Sequence, residues 1–192
     1  MTPPSTHGRP EGPVFFVSYA HAKRDKPVWD FVDSLSAHLR ELLGRRAGTE
    51  PGFVDYRSLQ VGESWQRNLD LAVRTATVLI PLVSPSYLTS KECTREWTVY
   101  VEGRTAANRP KAIVPVLWVP LRSALPSRLR GIQYFAPSAS DLAPVRRKYE
   151  DNGLYGLQAS HLEEYQGILW YLAKHVRDVY YESEPFEAEV NE

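Results

Sequence analysis

The chain has 192 residues, 43% of them apolar, and a net charge of zero. This length fits one well-packed domain and is too short for two comfortable ones. Because the charges balance, the composition excludes a general electrostatic attraction to nucleic acid or to an anionic membrane surface.

The cellular environment is indicated by the cysteine content and by the N-terminus. Cys93 is the only cysteine, which excludes a disulfide framework and a cysteine zinc site and favours a reducing compartment. The first twelve residues contain no apolar core of signal-peptide length, and no apolar run elsewhere is long enough for a bilayer. We therefore expect a cytoplasmic protein.

The two ends of the chain differ in composition from its middle. Residues 1–12 are rich in Pro, Gly and polar side chains, and residues 182–192 are acidic and aperiodic. Both patterns are typical of disorder. We expect a single domain over residues 13–181.

The first half of this domain begins with an apolar run followed by a helical pattern. PVFFVS ends at Ser18 and is typical of a strand buried on both faces. The next segment predicts a helix with Pro27 in its first turn and its end near Gly44. Its apolar stripe consists of Val28, Phe31, Val32, Leu35, Leu39 and Leu42.

The alternation of strands and helices continues to the end of the domain. GFVDY predicts a second strand, RSLQVGES a polar loop, and WQRNLDLAVRTA a helix. TVLIPLVS predicts a third strand, in which Pro81 cannot donate a ladder hydrogen bond, so we expect a bulge there or fewer paired residues. AIVPVLWV and IQYF predict two more strands, and residues 161–181 a long amphipathic helix. Its stripe consists of Leu162, Tyr165, Leu169, Leu172, Val176 and Val179. This alternation predicts an α/β domain with a central parallel sheet.

Two glutamates lie in the first turns of the helix expected after the third strand. Thr89 followed by Glu92 matches a capping box, which explains Glu92 structurally. The packing face of this helix on a helical wheel consists of Cys93, Trp97, Tyr100 and Val101. Glu96 lies about 40° outside the edge of that face. We expect it to border the core, either as a cleft wall or as a surface residue paired with Arg95 or Arg57.

Polar segments follow each of the first three predicted strands. They are SYAH, DYRSLQVGESW and residues 84–96. Open parallel sheets bind ligands beyond the carboxyl ends of their strands, where these segments gather. A binding cleft at this edge is therefore expected, with Glu96 beside it.

The same segments resemble the TIR (Toll/interleukin-1 receptor) domain family. FFVSYAHAKRD is similar to its first conserved box, and FVDYRSLQVGESW to its second box and BB loop. VLIPLVSPSYLTSKECTREW is similar to the segment carrying the Ser-Pro-x-Tyr and Ser-x-x-Cys-x-x-Glu signatures. The resemblance covers about residues 13–136, and three boxes in the correct order make it specific. Later segments are similar to actinobacterial TIR-like proteins of the FxsC type, which indicates a bacterial form.

The resemblance implies a flavodoxin-like sheet of five parallel strands in the order 2-1-3-4-5, with helices on both faces. Many TIR domains cleave NAD⁺ at the nicotinamide–ribose bond, releasing ADP-ribose or a cyclised isomer, in antiviral defence or signalling. Others are non-catalytic scaffolds or adaptors, and this alternative stays open. Self-association through the BB loop, residues 57–64, is implied in both cases.

The resemblance also implies the site residues. The catalytic glutamate of the Ser-x-x-Cys-x-x-Glu signature corresponds to Glu96, NAD⁺ is the substrate, and neither a cofactor nor a metal is expected. The candidate NAD⁺ contacts are Ser18, Tyr19, Arg57, Trp65 and Trp97. The tyrosine equally fits a role in the core. The two tryptophans lie on apolar helix stripes, where packing is the commoner role, and loop arginines are more often solvated. His21 and Arg24 are further polar candidates.

A single carboxylate suits this reaction. Nicotinamide is already cationic in NAD⁺ and leaves without a proton, while positive charge develops on the ribose. A nearby carboxylate stabilises that charge and accepts hydrogen bonds from the ribose hydroxyls. At about 4 Å and an effective dielectric constant near 20, the attraction is on the order of 4 kcal/mol, or about a thousandfold in rate.

Three other functions lack support in the sequence. Hydride transfer is disfavoured because the chain has no glycine-rich phosphate motif. A phosphoreceiver needs an aspartate where this chain has Ser84. DNA binding lacks both a basic surface and a motif.

Overall fold

The computed structural model describes residues 13–20, 26–44, 52–53, 63–122, 134–137 and 143–183, and the side chains of residues 53 and 63–68 lie outside this description. The strands are β1 (Phe15–Ser18), β2 (Gly52–Phe53), β3 (Val78–Val83), β4 (Ala112–Ile113) and β5 (Val116–Leu117). The helices are α1 (Lys26–Leu43), α2 (Glu63–Thr75), α3 (Pro85–Thr89), α4 (Lys91–Ala106), α5 (Ala143–Ser160) and α6 (Leu162–Ser183).

These strands form one parallel sheet covered by helices on both faces, which confirms the predicted α/β flavodoxin-like class. The strand order is β2-β1-β3-β4, and β5 pairs with β3. The predicted fourth strand is therefore split into β4 and β5. The predicted fifth strand, IQYF, is not a strand in its described half, where the Phe135 N–H donates a single hydrogen bond to the Pro115 carbonyl at 2.7 Å.

Two prolines explain the split strand. Pairing of β3 with β4 ends at Leu79 and pairing with β5 begins at Leu82. Val78 directs its N–H towards β1, and alternate residues of a parallel strand direct theirs to opposite sides. Position 81 therefore faces β4 and β5, and as a proline it has no N–H to donate to them. Pro115, between β4 and β5, lacks an N–H as well. This confirms the expectation of fewer paired residues, while the pairing of β3 with β1 is continuous.

The buried side chains form two clusters, one on each face of the sheet. Helices α1, α5 and α6 cover one face, called here the α1 face, and α2 and α4 cover the other, the α4 face. Phe15 and Val17 of β1 point to the α1 face, and Phe16 points to the α4 face. This alternation follows from the two-residue period of a strand. It decides the direction of each side chain at the carboxyl end of β1.

The apolar stripes predicted for α1 and α6 are largely confirmed. The predicted stripe of α1 is buried except for Leu42, which is partly buried. Helix α1 ends at Leu43, and Gly44 follows with φ of 61°, a left-handed conformation that glycine adopts without strain. In α6 the predicted stripe is buried or partly buried except for Leu162, which is 64% exposed. That residue opens the helix and does not reach the core.

Helix α5 is a separate element that the sequence pattern did not reveal. It bends at Gly153, which has φ of 67° and ψ of 171°. A Cβ on this glycine would lie 2.5 Å from the Trp118 carbonyl oxygen and 2.7 Å from Val119 Cα. The Tyr155 N–H donates to the same carbonyl at 2.9 Å. Gly153 therefore lets α5 pack directly against the chain that follows β5.

None of the helices within the described ranges has the length and apolar character needed to cross a membrane.

Candidate functional site

Helix α4 begins one residue later than the capping box predicted. Its N-cap is Ser90, whose Oγ accepts the Cys93 N–H at 3.2 Å and lies 3.0 Å from a carboxylate oxygen of Glu92. Thr89 belongs to α3, where its hydroxyl donates to the Ser86 carbonyl. The predicted cap at Thr89 is wrong because a short helix occupies the segment before α4. Glu92 still lies at the N-terminus of the helix, where its carboxylate accepts a hydrogen bond from the Ser90 hydroxyl.

Glu96 is buried and does not border the core as the helical wheel predicted. Only 4% of it is exposed. The buried residues of α4 are Cys93, Glu96, Val99, Tyr100 and Arg104. Trp97 and Val101 are partly buried against the α4 face. The wheel centred the packing face on apolar residues, whereas the face that meets the sheet also contains two charged residues.

The carboxylate of Glu96 meets the carboxyl end of β1. Ser18 is the last residue of β1, has no exposed surface, and points to the α4 face because Phe16 does. Its Oγ donates to Glu96 Oε2 at 2.5 Å and lies 3.5 Å from Tyr87 Oη. The site therefore joins β1, α3 and α4 through three buried polar side chains.

Burial raises the pKa of Glu96 from its ordinary value of 4.5 to about 7, because the charged form loses its hydration. The Ser18 hydrogen bond and the Arg95 charge lower this pKa, and the charges of Glu92 and Asp70 raise it. Arg95 forms an ion pair with Asp70 at 2.6 Å, not the surface pair with Glu96 that the sequence left open. Near pH 7 both protonation states of Glu96 are populated, a condition common at functional sites.

We expect this pKa to make stability depend on pH. Between about pH 4.5 and pH 7 the unfolded chain releases the Glu96 proton while the folded protein retains it, so stability falls as pH rises through this window. The loss is about 3 kcal/mol, since one pKa unit corresponds to about 1.4 kcal/mol. Urea denaturation of the wild type and of Glu96→Gln at matched pH values isolates this contribution. A difference between the two proteins that stays constant with pH would contradict the assignment.

Tyr19 lies on the opposite face from Ser18. It packs with the α1 face and lines a cavity of about 310 Å³ at the carboxyl ends of β1 and β3. Trp118 and Tyr155 form another wall of this cavity, with ring centroids 5.8 Å apart. Glu96 does not line it. Because adjacent strand residues point to opposite faces, the structure separates Ser18 from Tyr19.

The other predicted contacts are only partly within the described chain. Trp97 packs beside the α4-face core. Trp65 lies in α2, but its side chain is outside the description, as are Arg57, His21, Arg24 and most of the BB loop. Across the described ranges no group of three or more His, Cys, Asp or Glu side chains could hold a metal ion.

Tyr87 is a member of the site that sequence reasoning did not single out. It is buried, and its hydroxyl approaches Ser18. The available signal was its place in the Ser-Pro-x-Tyr segment, which runs here from Ser84 to Tyr87. Ser84 caps α3 by accepting the Tyr87 N–H at 3.1 Å, so this segment fixes the tyrosine at the edge of the sheet.

Three comparisons with known proteins show what this chain is similar to. The model of the TIR domain family matches residues 15–150. A probable 2′ cyclic ADP-D-ribose synthase, BdTIR, of Brachypodium distachyon is 36% identical over 67 residues, which are 35% of this chain and 27% of that protein. The chain thus spans only about a quarter of that relative. The TIR domain of the Toll-related receptor TRR-2 of Hydra magnipapillata aligns with a TM-score of 0.44 and 19% identity, over 70% of this chain and 91% of that one.

Proposed function

Because this chain belongs to the TIR domain family, we propose that it cleaves NAD⁺ at the nicotinamide–ribose bond, with Glu96 as the catalytic residue. One observation carries the proposal. A carboxylate is buried at the ligand-binding edge of a parallel sheet, and its hydrogen-bond partner among the described side chains is a hydroxyl, not a cation. A buried carboxylate held this way is costly for folding, which favours a functional reason for its presence.

The chemistry requires the ionised form of Glu96. The glycosidic C–N bond breaks with its electron pair moving to the nicotinamide nitrogen, and the ribose C1′ becomes electron-deficient. The Glu96 carboxylate stabilises that positive charge from its low-dielectric position. Water then adds to C1′ and loses a proton, or a nucleophile within the ADP-ribose adds to give a cyclic product. Similarity to a probable cyclic ADP-ribose synthase supports the second route.

The remaining parts of the proposal concern substrate contacts and assembly. Arg57 is proposed to contact the diphosphate and Trp65 a base, and residues 57–64 are proposed to dock onto a second copy of the chain. Residues 13–181 are proposed as the functional unit, acting in the cytoplasm of a bacterium in defence or signalling. The family membership supports self-association in general terms.

We expect concentrated protein to release nicotinamide from NAD⁺. Protein is incubated with NAD⁺ with and without a crowding agent, because self-association is proposed to complete the site. Nicotinamide, ADP-ribose and cyclic isomers are then quantified by chromatography and mass spectrometry. The control is Glu96→Gln at the same concentration.

Two outcomes would overturn this function. Equal nicotinamide release by Glu96→Gln would mean that another group performs the reaction. No release by the wild type, although light scattering shows concentration-dependent self-association under the same conditions, would leave the scaffold function in its place.

A further inference from the structure

We infer that Ser18 is a positioning residue for Glu96 and does not contact the substrate. This inference rests on the proposed function for its catalytic readout, but its geometry is independent of it. Ser18 has no exposed surface, whereas 4% of Glu96 is exposed, so in this arrangement NAD⁺ can reach the glutamate and not the serine hydroxyl. Its hydrogen bond at 2.5 Å holds Glu96 Oε2 at the carboxyl end of β1.

The position of Ser18 in the fold explains why it can act as a fixed support. It is the last residue of β1 and pairs in register with Pro81 of the central strand β3. The pairing of β1 with β3 is continuous over four residues. A hydroxyl on a rigid strand restrains the longer glutamate side chain of α4, which has three side-chain torsions. The hydrogen bond therefore joins α4 to the edge of the sheet at the proposed reacting group.

The other polar side chains near Glu96 do not provide the same restraint. From α4, Cys93 interacts with Ser18 and Glu96, but burial raises the pKa of its thiol to about 11, so it stays neutral. Tyr87 Oη, on α3, is 3.5 Å from Ser18 Oγ, a longer contact than the 2.5 Å bond from Ser18 to the carboxylate.

Of the groups that lower the pKa of Glu96, and so stabilise its carboxylate, Ser18 has the largest effect. Glu92 on the same helix and Asp70 on α2 raise the pKa of Glu96. Arg95 lowers it, by less than the Ser18 hydrogen bond does, while paired with Asp70. Burial raises the pKa of Glu96, and among the groups of α2, α3, α4 and β1 that face the carboxylate, Ser18 opposes this rise most strongly. Removing its hydroxyl should therefore favour protonated Glu96.

The test compares Ser18→Ala with Ser18→Thr, which keeps a hydroxyl on Cβ. The first readout is the titration of the Glu96 carboxyl carbon by ¹³C NMR of glutamate-labelled protein, assigned by its absence in Glu96→Gln. We expect the midpoint to move to higher pH in Ser18→Ala and to return towards the wild-type value in Ser18→Thr. This measurement needs no catalytic activity.

The second readout is the pH profile of NAD⁺ cleavage. We expect kcat of Ser18→Ala at pH 7 to fall about tenfold, the effect of one hydrogen bond to a charged group, and to recover partly at pH 9, with KM nearly unchanged. An unchanged NMR midpoint, or a raised KM with normal kcat, would overturn the positioning role in favour of a packing or substrate-binding role.

If the wild type does not cleave NAD⁺, the proposed function fails, and the NMR midpoint alone still decides the inference. Thermal unfolding shows that each variant is folded, and if Ser18→Ala is not, Ser18→Gly removes the same hydroxyl.

Discussion

Glu96→Gln is expected to reduce NAD⁺ cleavage by about a thousandfold or more. The substitution keeps the shape of the side chain and a carbonyl oxygen that accepts from Ser18, but removes the negative charge. The loss follows from a charge interaction on the order of 4 kcal/mol at about 4 Å in a partly shielded environment. Nicotinamide release at saturating NAD⁺, over a range of protein concentrations, measures it.

Glu92→Gln is the matched control for this loss. Glu92 is on the same helix four residues earlier, is exposed, and contacts the N-cap Ser90. Its substitution removes the same charge from the helix without removing the buried carboxylate, so activity should stay within about twofold of the wild type, an expectation for an exposed group. Equal losses in the two variants would show that the charge of the helix, not the position of Glu96, matters.

Glu96→Gln is also expected to stabilise the protein above pH 7, as urea denaturation of this variant and of the wild type would measure. The folded wild type must then carry a buried carboxylate, whose pKa near 7 reflects the lost hydration. Glutamine removes that charge and keeps a hydrogen-bond acceptor for Ser18. Loss of activity together with a gain in stability is the signature of a residue retained for function at the expense of folding.

Gly153→Ala is expected to destabilise the fold by about 3 kcal/mol or more, from backbone strain and steric overlap together. Its φ of 67° and ψ of 171° fall in a region that only glycine adopts readily. The new Cβ would also lie 2.5 Å from the Trp118 carbonyl oxygen, a backbone atom that cannot rotate away. Either α5 must separate from the segment after β5 or that segment must shift. A melting temperature lower by about 10 °C is expected for a domain of this size.

Gly167→Ala is the control for this destabilisation. Gly167 lies inside α6, and a Cβ there would meet no atom within 4 Å. Alanine has the higher helix propensity, so we expect a gain of about 0.5 to 1 kcal/mol. Differential scanning calorimetry of both variants separates the two effects. A stable Gly153→Ala protein would show that α5 does not depend on this close approach.

Local patterns in the sequence were sufficient for most of the sheet and the first and last helices. The apolar run ending at Ser18 specified β1, and the three-to-four spacing from Val28 to Leu39 specified α1. The same reasoning failed in the described half of IQYF, residues 134–135, and at α5. At IQYF, a short apolar run did not show whether a partner strand lay beside it. At α5, the apolar stripe is interrupted at Gly153, whose role depends on the distant Trp118.

By itself, the sequence determined the α/β class, the family resemblance and the choice of Glu96 as the candidate carboxylate, because these depend on residue types and spacings along the chain. Only the tertiary structure decided that Glu96 is buried, that Ser18 holds it, and that Tyr19 faces the opposite side of the sheet. The reason is distance along the chain: Ser18 and Glu96 are 78 residues apart. The environment of a carboxylate, and therefore its pKa, is set by the neighbours that folding brings to it.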